Sequence, residues 1–378
     1  MNERYDIAIV GAGPAGGLVA SLAARQGASV LLVDKARFPR AKVCGCCLNA
    51  EALNVLERAG LGGLTAQLTA QPLHALRIGA AGRQATLRLP GGAAVSRAAL
   101  DHALAAAAVA GGATFRDETT ATVARSVHDG EPWRSLTLRS RGGEAQTVAA
   151  RVVVAADGLA GTCLGEAARL PWCVARRSRV GLGAIAPAQV AGDYEPGVIH
   201  MACGASGYVG LVRLEDGRLD IAAAADLAFV QAAGGPAGAA AKLLQDAGWP
   251  SVAGMDALPW RGTPALTRAR RTIGGPGLFV VGDATGYVEP FTGEGMAWAL
   301  RGAEAVTPLA LAAVRGWTPT LARQWARTHR RLFALRRVRC RLIASLLRRP
   351  RLVRFSAALL GRHPELAGPL TRRIAVGT

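Results

Sequence analysis

Residues 5–34 read YDIAIVGAGPAGGLVASLAARQGASVLLVD: an apolar run, a glycine-rich turn, a stretch with helical spacing, a second apolar run and a terminal acid. A dinucleotide-binding βαβ unit requires that order. Gly11 lets the chain turn sharply out of the strand, Gly13 lets backbone approach a pyrophosphate, and Gly16 lets the helix pack closely on the sheet. Pro14 and Ala15 open the helix, whose N–H groups and positive dipole end point at the phosphates. Asp34, 23 residues after Gly11, closes the second strand where a carboxylate accepts from a ribose hydroxyl. Lys35 and Arg37 follow it as further candidates at the same end of the cofactor.

With 378 residues the chain has room for one large or two intimate domains with a substantial core. Acids in the opening MNERYD argue against a signal peptide, and no run reaches the roughly 18 uninterrupted apolar residues of a membrane span. Seven unevenly clustered cysteines fit a reducing compartment better than a disulfide scaffold. The expected location is therefore cytoplasmic, with the inner face of the membrane as its variant. From Arg315 onward sixteen arginines face one acid, Glu365, so +15 of the net +19 lies in the last 64 residues. The basicity belongs to the tail, and nucleic acid is not an expected partner.

Along the chain, a loop at 36–47 precedes a helix near Asn49–Ala59, and strand-like runs follow at Leu73–Ile78 and Ala85–Leu89. Ser96 caps a helix over Arg97–Ala110 that Gly111 and Gly112 stop. Residues 119–150 alternate as an antiparallel hairpin pair, and Val152–Ala155 forms a buried strand ending at Asp157 and Gly158. Val174–Ile185, Gly197–Met201, Tyr208–Leu214 and Leu219–Ala225 read as an antiparallel sheet, with a helix near Ala237–Ala247. Leu278–Val281 is again an apolar strand, and a helix runs from about Glu294 to Ala312. The expected domains are a cofactor domain over 1–160 and 275–315, a substrate domain over 161–274 to which 70–95 contribute, and a basic helical region over 316–378. No second GxGxxG is present, so a separate nicotinamide-binding domain is not expected.

A second motif, GLFVVGDATGYVEPFTGEGMAWAL, covers 277–300. Its strand ends at Gly282-Asp283, where the carboxylate meets a ribityl or ribose hydroxyl. Gly293, Glu294, Gly295 and Met296 then open a helix whose N–H groups face the edge of a flavin that gathers negative charge on reduction.

With GAGPAG, VSRAALDHAL, the Ala156-Asp157-Gly158 turn and GDATGYVEPFTGEGM in this order, the chain resembles FAD-dependent oxidoreductases of the para-hydroxybenzoate-hydroxylase fold. The F-P-R-x-K-x-C-G of 38–45 and the P-x-T-G-E-G-M of 290–296 are similar to those of the geranylgeranyl reductase family. The resemblance, which covers roughly residues 1–312, implies an α/β fold, with a Rossmann-type, glutathione-reductase-like FAD-binding domain and an inserted antiparallel-sheet substrate domain; the basic C-terminal helical tail is read from its own charge and spacing. It implies bound FAD, with Gly11, Gly13, Gly16, Asp34, Arg97 and Asp283 in contact and Gly293 and Gly295 beside the ring. It also implies that Asp157 and Gly158 serve both FAD and NAD(P)H, the expected electron donor. The prenyl-reductase signature Y-x-W-x-F-P-K is missing, with residues 207–212 in its place, and the halogenase tryptophan motif is missing too.

Cys44, Gly45, Cys46 and Cys47 fall where that family carries Cys-Gly beside the flavin. Several roles stay open for the thiols: a proton source, a redox C-x-x-C pair, a covalent link to FAD, or simple packing against the ring. Zinc is not expected, since nothing completes four ligands. His200, Tyr208, Pro290 and Phe291 are the substrate-side candidates, a lone histidine being more often structural. In the tail, Leu321, Trp325, Leu332, Leu335, Val338, Leu342 and Leu346 keep helical spacing among arginines, and a second short basic helix is expected over 351–361. Such a helix lies in an anionic bilayer interface or packs on the cofactor domain. The leading expectation is an NAD(P)H-dependent flavin monooxygenase acting on an apolar aromatic or polyketide-like molecule. The alternatives are reduction of isoprenoid double bonds and electron transfer to a quinone or protein.

Overall fold

The computed structural model describes residues 3–124, 133–164, 170–289, 291, 293–349, 352–353, 355 and 358–359. Arg4–Val10 runs through the middle of a parallel sheet, between Val30–Val33 and Ala145–Ala155, with Thr114–Arg116 and Leu278–Val280 outside them. The strands are unbroken apolar runs because both faces are covered; Ile7, Ile9, Leu31, Leu32 and Val152 are fully buried. Thr119–Val123 and Arg134–Ser140 hang antiparallel from the first half of Ala145–Ala155.

The helix Pro14–Ala24 packs against Arg97–Ala110 and Gly295–Arg315. Close approach demands glycine at two places. A Cβ on Gly16 would stand 1.8 Å from the Gly11 carbonyl oxygen, and one on Gly17 would meet Leu104 at 2.9 Å. Ser96 caps its helix as expected, Oγ accepting from Ala99 N at 3.1 Å.

A seven-stranded sheet runs Arg261–Ala265, Val180–Ala186, Leu219–Ala225, Gly207–Arg213, Val198–Gly204, Ala75–Ala80, Arg83–Arg88. It is mixed rather than antiparallel, since Ala75–Ala80 pairs in parallel with Val198–Gly204. The strand expected over 174–185 is two: Trp172–Val174 pairs with Arg268–Arg270, and Val180–Ala186 joins the large sheet. Parity sorts Leu219–Ala225: Leu219, Ile221, Ala223 and Ala225 join the cluster around the helix Pro236–Ala247, and Asp220, Ala222 and Ala224 take the opposite face. Small residues there leave space between the two sheets.

The basic tail opens with one helix, Pro319–Leu347, whose buried residues are Trp325, His329, Phe333, Cys340 and Leu347. Trp325 Nε1 donates to the Val280 carbonyl at 3.0 Å, fastening the helix to the first sheet. The helix expected over 351–361 falls largely outside the described residues. Among the described residues no helix is long and apolar enough to cross a membrane.

Candidate active site

Between the sheets lies a cavity of about 870 Å³, at the upper end of the roughly 300–1,000 Å³ usual for ligand sites. Its polar end is built where the first strand meets its helix: Gly11, Gly13, Pro14 and Ala15 line it, with Asp34 and Lys35 beside them. Gly11 adopts φ +102°, and a Cβ there would strike the Ala156 carbonyl at 2.4 Å. Asp34 holds the turn, Oδ2 accepting from Ala12 N at 2.9 Å and Oδ1 from Ala36 N at 3.0 Å.

Cations gather at this end. Arg40 pairs with Asp34 at 3.2 Å and with Asp101 at 3.0 Å, and Asp101 also takes Arg97 at 3.0 and 2.8 Å. Lys42 turns its free surface into the cavity; burial and the neighbouring Arg97 and Arg40 push its ammonium pKa down, with Asp283 and Asp101 opposing. Arg40 and Arg97 are thus held by carboxylates, whereas Lys42 stands beside both guanidinium groups in the cleft, a setting that favours an anion next to it. Asp283, presented by the turn Gly282–Thr285, lines the cavity, and burial raises its carboxyl pKa against the pull of Lys42 and Arg97. Asp157 and Gly158 line it as well. Asp157 Oδ2 accepts from Cys163 N at 2.8 Å, whereas the buried Oδ1 has no partner. Gly45 and Gly293 complete a cradle, a Cβ on either meeting nothing within 4 Å. An elongated molecule with an anionic centre and sugar hydroxyls fits this donor set.

Cys44, Cys46 and Cys47 all line the cavity, and all three are free thiols. The Cys46 hydrogen bond and the Arg97 guanidinium bring the Cys44 thiol down to about 6. Cys46 is pushed well up by that same contact and by burial. Its Sγ donates to Asp220 Oδ1 at 3.4 Å, and the second oxygen of this buried acid has no partner. Burial, with the Cys44 sulfur adding to it and the Cys46 hydrogen bond opposing it, raises the Asp220 carboxyl well above its ordinary value. The cluster thus touches Arg97 on one side and the large sheet on the other.

Beyond it the cavity becomes apolar, lined by Leu76, Ile78, Leu87, Met201 and, from the terminal helix, Ile343 and Leu347. Tyr208 sits here edge-on to Phe291, ring centroids 5.3 Å apart, its buried hydroxyl without a partner.

Of the residues singled out from sequence, most reach the cavity, but five do not. Gly16 serves helix packing. Gly282 lies just behind Asp283, where a Cβ would meet Ala15 at 3.0 Å. Glu294 is buried with Oε2 accepting from Cys340 Sγ at 3.4 Å, turned toward the terminal helix. Arg37 is exposed, and Arg40 holds Asp34 in its stead. His200 lies in the core between Tyr194 and Trp249, edge-on to both, and burial lowers its pKa to about 4. Its expected substrate contact is corrected to a packing role. Pro290 lies outside the described residues. Sequence reasoning passed over Arg40 and Lys42, although both stand in the 38–45 motif, and over Asp220, whose signal is an acid inside an otherwise apolar strand. Among the described residues no cluster has metal-ligand composition.

Residues 4–171 match the FAD-binding-domain family. The chain is 29% identical over 323 residues to menaquinone reductase of Mycolicibacterium smegmatis, covering 79% of this chain and 75% of that one. It is also 29% identical over 309 residues to digeranylgeranylglycerophospholipid reductase 2 of Methanopyrus kandleri, covering 78% and 73%. A solved flavin-dependent brominase shares the fold, with TM-score 0.79 at 16% identity over 98% of this chain and 93% of its own. Residues 4–171 thus carry an FAD-binding domain, and the rest of the chain lies outside that match.

Proposed function

We propose that the protein reduces carbon–carbon double bonds of an apolar, isoprenoid-type molecule, drawing electrons from NADH or NADPH. One observation carries this: a single cavity joins a cationic, glycine-lined end to an apolar arm, with a thiol–carboxyl cluster where they meet. FAD held in the cationic end would supply the two-electron chemistry. Arg40, Lys42 and Arg97 would hold its diphosphate, and Asp34 and Asp283 would accept from its sugar hydroxyls. The apolar arm orients the substrate and keeps water out, and Tyr208 offers its unpartnered hydroxyl to a polar end of the substrate.

Hydrogenating a double bond consumes a proton as well as electrons. The Cys46 thiol holds one at the cavity wall beside the Cys44 sulfur, and the Asp220 carboxyl, whose hold on a proton burial strengthens, lies 3.4 Å behind Cys46 and would exchange protons with it. A proton store of this kind serves reduction, which is why we rank it above the hydroxylation favoured from sequence. Two curated relatives aligned over most of their length are named as reductases, one of them of a geranylgeranyl lipid.

The test is anaerobic turnover of the FAD-loaded protein with NADPH and a quinone or diphosphate bearing an isoprenoid chain, read by mass spectrometry. Products gaining two hydrogens per turnover are expected. A product formed only in air and carrying a new oxygen atom would replace this reading with the monooxygenase one.

A further inference from the structure

Most of the large apolar side chains that this fold leaves exposed lie on one short piece of chain. Leu335, Val338, Leu342 and Leu346 recur at intervals of three and four residues on the terminal helix, so they share one face. That face is turned away from Trp325, His329, Phe333 and Cys340, which are buried. Leu335 and Leu342 are 60% and 66% exposed, and Phe355, just beyond the helix, is 66% exposed. Exposed arginines frame the row: Arg331 one turn before Leu335, Arg341 beside Leu342, and Arg349 just after Leu346. The helix itself contains no acid.

An apolar row of this length is unusual on a surface that faces only water. Its arginine border and lack of carboxylates match an anionic lipid surface, where leucines enter the acyl boundary and guanidinium groups meet phosphates. With no helix among the described residues able to span the bilayer, the protein would lie on the membrane.

The helix also has an inner role. Ile343 and Leu347 line the apolar arm of the cavity, and Leu346 both lines it and is 41% exposed. The wall of the substrate arm and the outer apolar row are therefore two sides of one helix.

We infer that the outer face of Pro319–Leu347 docks on an anionic bilayer and sets the mouth of the apolar arm against it, so that an apolar substrate enters from the lipid. Docking stands on the helix alone; the entry route rests on the reading of the substrate as apolar.

The experiment is flotation of the full-length protein with vesicles containing no substrate, so its outcome is separate from that of the turnover assay. Vesicles of one part phosphatidylglycerol to two parts phosphatidylcholine should carry the protein up the gradient, and pure phosphatidylcholine should carry at least tenfold less. The double variant L335Q/L342Q touches only exposed side chains outside the cavity lining. It should keep its circular dichroism and FAD content yet stay at the bottom. Three results would overturn the inference: parent protein that does not float with the anionic vesicles, a variant that floats as well as the parent, or a dimer in light scattering that the same substitutions abolish. The last would make a second copy the occupant of this face.

Discussion

Arg179→Met should be among the most destabilising single changes in the chain. Arg179 is fully buried; its Nη1 donates to Glu289 Oε1 at 2.7 Å, its Nη2 to the Ala205 carbonyl at 2.9 Å, and its guanidinium lies 5.8 Å from the Tyr208 ring centre. Glu289 is almost as buried. Truncation leaves that carboxylate in the interior without its main partner, which costs about 3–5 kcal/mol. With a urea slope of about 3 kcal/mol/M, the midpoint should fall by roughly 1 M or more. Replacing both residues, as in R179M/E289L, removes the orphan charge, and most of the loss should return. The pH dependence has a definite sign. Burial already holds the Glu289 carboxyl above its ordinary value against the pull of Arg179, and losing Arg179 raises it further. The folded variant then binds that proton more tightly than the unfolded chain does. Its deficit should be small near the unfolded carboxyl value of about 4.5 and grow as pH rises toward the folded one. A variant within about 1 kcal/mol of the parent at neutral pH, or a double variant as unstable as the sum of its singles, would refute the reasoning.

Three further outcomes follow from single side chains. Iodoacetamide labelling mapped by mass spectrometry should modify Cys44 with a half-point near pH 6, while Cys46, pushed up by its contact with Cys44 and by burial, and Cys47, pushed up by burial, lag behind; labelling of all three only in alkali would contradict the site electrostatics. His200 stays neutral when folded, its pKa lowered to about 4 by burial and Arg77, so the parent should lose stability as pH falls from the ordinary histidine value toward 4. His200→Phe, keeping edge contacts to Tyr194 and Trp249, should flatten that acid limb in thermal melts, and an unchanged profile would refute it. In the proposed reduction, Tyr208→Phe removes the hydrogen bond its hydroxyl would make to the substrate, worth about 1 kcal/mol, so KM for an isoprenoid-chain test substrate should rise roughly fivefold with melting unchanged; an unaltered KM would take Tyr208 out of recognition.

What was legible in the sequence was what local chemistry decides. Ser96 announces a helix because its side chain caps the backbone three residues on, and the glycines of 11–17 announce a turn and helix because side chains there would collide with Ala156, Gly11 and Leu104. Leu219–Ala225 announces a strand with one apolar face. Long-range choices were not legible. The parallel pairing of Ala75–Ala80 with Val198–Gly204 depends on which edge the chain reaches more than a hundred residues later. Arg37 and Arg40 look alike in sequence; only the path of the loop decides which guanidinium meets Asp34. Arg179 and Glu289 give no local sign of each other, being 110 residues apart until the fold brings them together.

The tail shows how a composition argument can be right about character and incomplete about place. Sixteen arginines suggest an appendage, yet the inner face of Pro319–Leu347 is packed against Val280 and the Gly282–Thr285 turn. Helical spacing does not reveal this, but the folded contacts do. His329 Nε2 lies 3.1 Å from Thr285 Oγ1, and Arg337 Nη2 donates to the same oxygen at 3.2 Å and to the Gly286 carbonyl at 3.3 Å. Thr285 ends the turn that presents Asp283 to the cavity. One helix thus holds this turn on one side, walls the apolar arm through Ile343 and Leu347, and shows leucines to the outside. Any surface that restrains its outer row therefore bears on the Asp283 turn and on the apolar wall of the cavity together, which makes the terminal helix a structural part of the cavity.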